Sequence, residues 1–241
     1  MDKNGLDRRT FLKGAAGGAA VATVATAATT AALPAQAQSA RPAQAPPPAS
    51  AGYAYLNTDE AAFIEAVVDH MVPADAHSPK GTDLGLNTYI DRALAGGWGK
   101  GDRLYLQGPW KTGTPSQGYQ LPLTPAELYR AGIAAANAAC LKAYGRGFDK
   151  IAPAQREEFL LGLQGGKVVF EAGPPAQVFF TTLYQNVMEG MFADPIYGGN
   201  RQKAGWKMLG FPGVIAVHRQ DVERYRGKKF PADPLGIADM S

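Results

Sequence analysis

Thr124-Pro125-Ala126-Glu127 is the most restrictive stretch of the chain. Threonine followed three residues later by glutamate is a capping box. Proline at the first helical position loses no hydrogen bond, because that N–H has no acceptor within the helix. Onward to about Gly145 or Gly147, the apolar residues Tyr129, Ile133, Ala136, Cys140 and Tyr144 fall on one stripe, and Gly132, Ala135, Ala139 and Ala143 on the next. The first stripe requires a core; the second, made of small residues, lets another helix come close. A chain with such an element folds around packed helices, and its other segments must supply the partners.

They do so in helical periods. Asn57-Thr58-Asp59-Glu60 is a polar cap with acidic residues in the first turn, where they complement the helix dipole. Phe63, Ile64, Val67, Val68 and Met71 then recur at helical spacing until Pro73 stops the run, with Glu60, Glu65 and Asp69 elsewhere on the wheel. A short helix is expected over 87–94. Another starts at Pro153, turns Phe159, Leu160 and Leu163 inward, and stops at Gly165-Gly166. Pro174-Pro175 opens the strongest pattern, with Phe180, Leu183, Tyr184, Val187, Met188 and Met191 on one side and Thr181, Thr182, Gln185 and Glu189 on the other. The only strand candidate is 167–170. The expected fold is mainly α: a single helical domain of five or six helices over 53–241, with long loops rich in glycine, proline and aromatics.

Ahead of that domain, Arg8-Arg9 is followed by Phe11, Leu12 and Lys13 and a mild segment, 14–33, made almost wholly of Ala, Gly, Thr and Val. Burying alanine and glycine yields little transfer energy, so the segment does not read as a membrane anchor. With the small residues Ala35 and Ala37 forming a cleavage pattern, residues 1–37 resemble a twin-arginine signal, an address read by the twin-arginine translocase. Residues 38–52 read as a Pro/Ala-rich linker. Cleavage leaves about 204 residues and lowers the formal charge from +3 to about +1, which gives no electrostatic footprint for nucleic acid. This export route carries folded cargo, usually because a cofactor was inserted first.

The residues offer little with which to hold one. No Gly-x-Gly-x-x-Gly, Walker loop, Gly-x-Ser-x-Gly or Ser-x-x-Lys is present. The histidines are His70, His77 and His218; a His70/Asp75/His77 cluster is conceivable, but no pair sits at i, i+4 on an expected helix. The lone Cys140 is either a buried small hydrophobe or half of an inter-subunit disulfide. Glu157-Glu158 reads as a solvated face. Arg219, Arg224, Arg226, Lys228 and Lys229, interleaved with Asp221 and Glu223, read as a salt-bridged surface segment. Residues 96–122 hold Trp98, Tyr105, Trp110 and Tyr119 in a loop too long for a mere connection. Those aromatics either tuck onto their own domain or meet another subunit, and for the loop as a whole an interface is favoured. A cofactor carried by a companion would reconcile the export route with the missing cradle.

Several blocks together resemble one family. They are His70-Met71-Val72-Pro73-Ala74-Asp75, the Tyr105-Leu106-Gln107-Gly108-Pro109-Trp110 loop, the run from Gly190 through Phe192-Ala193-Asp194-Pro195-Ile196-Tyr197-Gly198-Gly199-Asn200, and Gly205-Trp206-Lys207-Met208-Leu209-Gly210-Phe211-Pro212-Gly213. Over about residues 53–240 the chain is similar to the small subunit (subunit 3) of membrane-bound, flavin-dependent gluconate 2-dehydrogenase. The resemblance implies a non-catalytic periplasmic subunit that escorts a large flavoprotein, held at the inner membrane through its partners. FAD would reside in that large subunit and haem c in a multihaem cytochrome c subunit, with no cofactor or metal on this chain. No catalytic residue carries over; the aromatic blocks enter as contacts, giving Trp98, Trp110, Tyr119, Tyr197, Trp206 and Phe211 as candidate interface residues. Related small subunits serve flavin dehydrogenases of glucose, fructose and sorbitol, so the substrate stays open. Two other classes remain beside this one: a stand-alone exported enzyme built on His70, Asp75 and His77, and a binding module with an enclosed pocket.

Overall fold

Asn57 opens the first helix as a reciprocal cap: its Oδ1 accepts the Glu60 N–H at 2.9 Å, and Glu60 Oε2 accepts the Asn57 N–H at 3.0 Å. The structure, a computed structural model, describes residues 52–111, 113–214, 219–231 and 233–240. The signal over 1–37, with Arg8, Arg9, Phe11, Leu12, Lys13, Ala35 and Ala37, lies outside the described residues, as do His218 and all but the last residue of the linker.

The architecture is mainly α. Five helices build the body: α1 (Thr58–Met71), α2 (Leu86–Ala95), α3 (Pro125–Tyr144), α4 (Pro153–Gln164) and α5 (Ala176–Phe192). Two short ones follow, α6 (Ala204–Leu209) and α7 (Asp221–Arg224). α5 is the central element, packing on α2, α3, α4 and α6. Its Phe179 belongs to a chain of rings that runs from Tyr129 (6.0 Å between centroids) through Phe179 to Phe63 (6.3 Å), Phe148 (5.0 Å from Phe63) and Phe159 (5.9 Å from Phe148). Each such buried side chain contributes about 1.5–3 kcal/mol of transfer free energy. Gly132 is the point at which α3 meets Phe179, so within the small-residue stripe the close approach of a neighbouring helix falls at this residue, while Ala143 is exposed.

The inward face of α5 is rotated from the sequence reading. Phe179 and Asn186 are buried with Phe180, Leu183, Val187 and Met191, while Tyr184 and Met188 face solvent. The cause is polar: the buried Tyr129 hydroxyl donates to Asn186 Oδ1 at 2.6 Å, giving both groups a partner inside the core. Glu60 is likewise buried, because one oxygen serves the cap and the other receives Arg130 Nε at 3.0 Å. Residues 167–170 form no strand. The Val168 N–H returns to Gly162 O at 3.1 Å, and the only bridge among the described residues is an isolated one between Gly213 and Leu235.

The start of the domain is fastened by one carboxylate. Asp91 on α2 accepts the backbone N–H of Ala54 at 2.8 Å, Tyr55 at 2.9 Å and Leu56 at 3.0 Å. Among the described residues no helix is long and apolar enough to cross a membrane.

Candidate functional site

The first half of the 96–122 loop is held against the domain. Gly99 packs so tightly that a β-carbon would lie 1.9 Å from Leu94 O, and its own carbonyl accepts the Ala126 N–H at the start of α3. Trp98 sets its ring edge-on to Tyr129 at 6.4 Å, yet 42% of it stays exposed. Beyond it Tyr105 is 79% exposed and Trp110 39%. Tyr119 turns back, donating its hydroxyl to Leu123 O at 2.7 Å; burial and the nearby Glu127 carboxylate push its pKa up to about 12. Of the loop's aromatics, Tyr105 is therefore the one that stands off the domain, while Trp98 and Trp110 are part-exposed to about the same degree and Tyr119 is half-buried.

The Gly198-Gly199-Asn200 block is a fastening. Asn200, fully buried at φ 47°, donates to Ala193 O and accepts the Gly205 N–H, both at 2.9 Å. Gly199 leaves no room for a β-carbon beside Gly190 O, 2.3 Å away. Of this block's aromatics, Tyr197 is exposed. Trp206 is buried on α6, its indole N–H donating to Phe192 O at 2.7 Å and its ring meeting Phe211 edge-on at 5.4 Å. The six candidate interface residues thus fall in different settings: Trp98, Trp110 and Tyr197 are exposed, Tyr119 and Phe211 half-buried, Trp206 enclosed.

Trp206 and Phe211 also line a cleft of about 730 Å³ together with Tyr225 and Phe230, themselves in edge-on contact at 5.2 Å. Lys207, Lys228 and Lys229 line it too. Lys228 and Lys229 belong to the segment expected to be a salt-bridged surface, whereas Lys207 lies outside it; among the described residues none of these three lysines is in an ion pair, and Tyr225 and Phe230 flank the last two in sequence.

His70, Asp75 and His77 are not assembled. His70 Nε2 lies 2.8 Å from Glu157 Oε2 on α4. Asp75 Oδ1 accepts the backbone N–H of His77 at 2.7 Å and of Ser78 at 2.8 Å, which holds its carboxyl below the usual range. No three His, Cys, Asp or Glu side chains are grouped to hold a metal among the described residues. Cys140 is fully buried on α3, and burial pushes its thiol up to about 12; a disulfide to another chain would first require α3 to lift away.

A family model described as gluconate 2-dehydrogenase subunit 3 matches residues 58–213, well over half of the chain, and one for the twin-arginine translocation signal sequence matches residues 5–25. No curated protein and no solved structure matches.

Proposed function

Because the chain belongs to the gluconate 2-dehydrogenase subunit 3 family, as an exported subunit of a gluconate dehydrogenase-type complex, we propose that it escorts a catalytic partner and keeps it folded. That partner is a large flavoprotein that binds FAD and oxidises the sugar acid, with no export signal of its own. Electrons leave through a multihaem cytochrome c subunit carrying haem c, and these partners hold the assembly at the periplasmic face of the inner membrane. A flavin dehydrogenase of glucose, fructose or sorbitol would use such a subunit in the same way. What supports this reading most is the union, on one chain, of a signal for folded cargo at residues 5–25 with a subunit-family domain at 58–213. The exposed Tyr105, Trp110 and Tyr197 are the residue types enriched where subunits meet.

The test is export. Replacing Arg8 and Arg9 together by Lys in the native host should leave flavin dehydrogenase activity in the cytoplasm, with little in the periplasmic fraction. Unchanged periplasmic activity would refute the escort role.

A further inference from the structure

The domain hides a charge division. Residues 52–200 contain eleven Lys and Arg against fifteen Asp and Glu, a balance of −4; residues 201–241 contain eight against four, a balance of +4. The basic portion is the one that builds the aromatic cleft. Trp206, Phe211, Tyr225 and Phe230 give it apolar walls, while Lys207, Lys228 and Lys229 are exposed beside them without ion pairs among the described residues. Asp221 and Asp233 also line it, so the cleft is positive by one charge and the segment around it more so.

Apolar side chains of its lining also stay open to solvent: Leu209 is 62% exposed and Val222 67%. A small sugar acid enclosed between the aromatic walls would leave those two side chains in water. A length of polypeptide lying along the cleft would cover them. Lysines on flexible stems at a rim suit steering and charge pairing with another protein, whereas a small-ligand site converges a few fixed polar groups on one point.

We infer that this cleft receives an acidic segment of the flavoprotein partner, with an aromatic or aliphatic side chain against the Trp206, Phe211, Tyr225 and Phe230 walls and carboxylates on Lys207, Lys228 and Lys229. The inference rests on the subunit reading above and specifies the chemistry of the contact.

The experiment uses the dehydrogenase complex extracted from membranes with the full chain in it. Zero-length carbodiimide coupling joins an amine directly to a carboxylate, so peptide mapping should find Lys207, Lys228 or Lys229 bonded to Asp or Glu of the flavoprotein. A Lys207→Glu/Lys228→Glu/Lys229→Glu variant should keep the wild-type melting temperature in isolation and bind the flavoprotein at least 100-fold more weakly, with wild-type affinity falling steeply as salt rises. Recovery of the chain with no flavoprotein defeats the subunit reading itself. A stable complex that cross-links only through other lysines, or a triple variant binding within threefold of wild type, overturns this inference alone. So does saturation of the isolated chain by sodium gluconate, read from Trp fluorescence and abolished by Phe230→Ala.

Discussion

The α-carbon of Gly132 faces the ring of Phe179 so closely that a β-carbon built on it would lie 2.2 Å from the ring's Cδ2. The two helices at the centre of the domain are therefore spaced by the absence of one methyl group. Gly132→Ala gains about 1 kcal/mol of helix propensity but forces the Phe179 ring to move within a filled core, a cost of about 1–3 kcal/mol or more. The expected result is a net loss of up to about 2 kcal/mol in urea denaturation at unchanged m-value, and a larger loss for Gly132→Val. An unshifted midpoint for the valine variant would show that α3 and α5 are not in this contact.

Asp91 makes a second prediction, about how the domain begins. Its buried carboxylate collects three backbone donors from residues 54–56, and hydrogen bonds to a charged acceptor are worth more than neutral ones. Asp91→Ala should cost about 2–4 kcal/mol, with Asp91→Asn about half as damaging because the amide keeps one acceptor oxygen. Amide hydrogen exchange supplies the local readout: protection at Tyr55 and Leu56 should fall in both variants while that of the α5 core changes only with global stability.

Alkaline pH is the third. Burial pushes the Cys140 thiol up to about 12, and burial with neighbouring carboxylates does the same to Tyr53, Tyr89 and Tyr119. These groups are neutral when protonated, so the folded state holds their protons more tightly than the unfolded chain. The stability they contribute is complete below the unfolded values of about 9 for Cys and 10 for Tyr, and it drains away as pH rises toward 12. Urea midpoints should be level from pH 7 to 8.5 and decline progressively above pH 9. A disulfide-exchange reagent at pH 8 should label Cys140 only at the rate of unfolding; prompt labelling of the native chain would contradict its burial.

Much of the helical frame was legible because it depends on near neighbours. The polar cap at Asn57, the box at Thr124, the proline starts and the apolar spacing of α1 and α3 are decided within four residues. What depended on distant residues was not. Nothing near Asn186 marks it as a core residue until Tyr129, 57 positions earlier, is placed against it. Trp206 and Asn200 sit in a motif rich in aromatics and glycine that reads as a contact surface, yet both are used to lock α6 onto α5 through Phe192 O and Ala193 O. The aromatic cleft was hidden among basic residues because its walls come from segments separated in sequence.

The fourth prediction separates the aromatics that hold the fold from those that face outward. Trp206 is 6% exposed with its indole N–H satisfied, so Trp206→Ala should cost about 3–5 kcal/mol in the isolated domain. Tyr105, at 79% exposure, has almost nothing to lose in that state, and Tyr105→Ala should stay within about 0.5 kcal/mol of wild type. In the assembled complex the roles differ in kind. Exposed aromatics that become enclosed on association dominate binding, so Tyr105→Ala together with Trp110→Ala should weaken the complex by at least tenfold, chiefly through faster dissociation. Melting curves of the isolated variants and dissociation rates of the assembled ones place each residue on two axes. An interface residue moves only the second, and a structural one must move the first. If the Tyr105/Trp110 double variant dissociates at the wild-type rate, this part of the loop is not where the partner sits, and the contact must be sought on the other exposed faces, the Tyr184/Met188 strip of α5 or the C-terminal cleft.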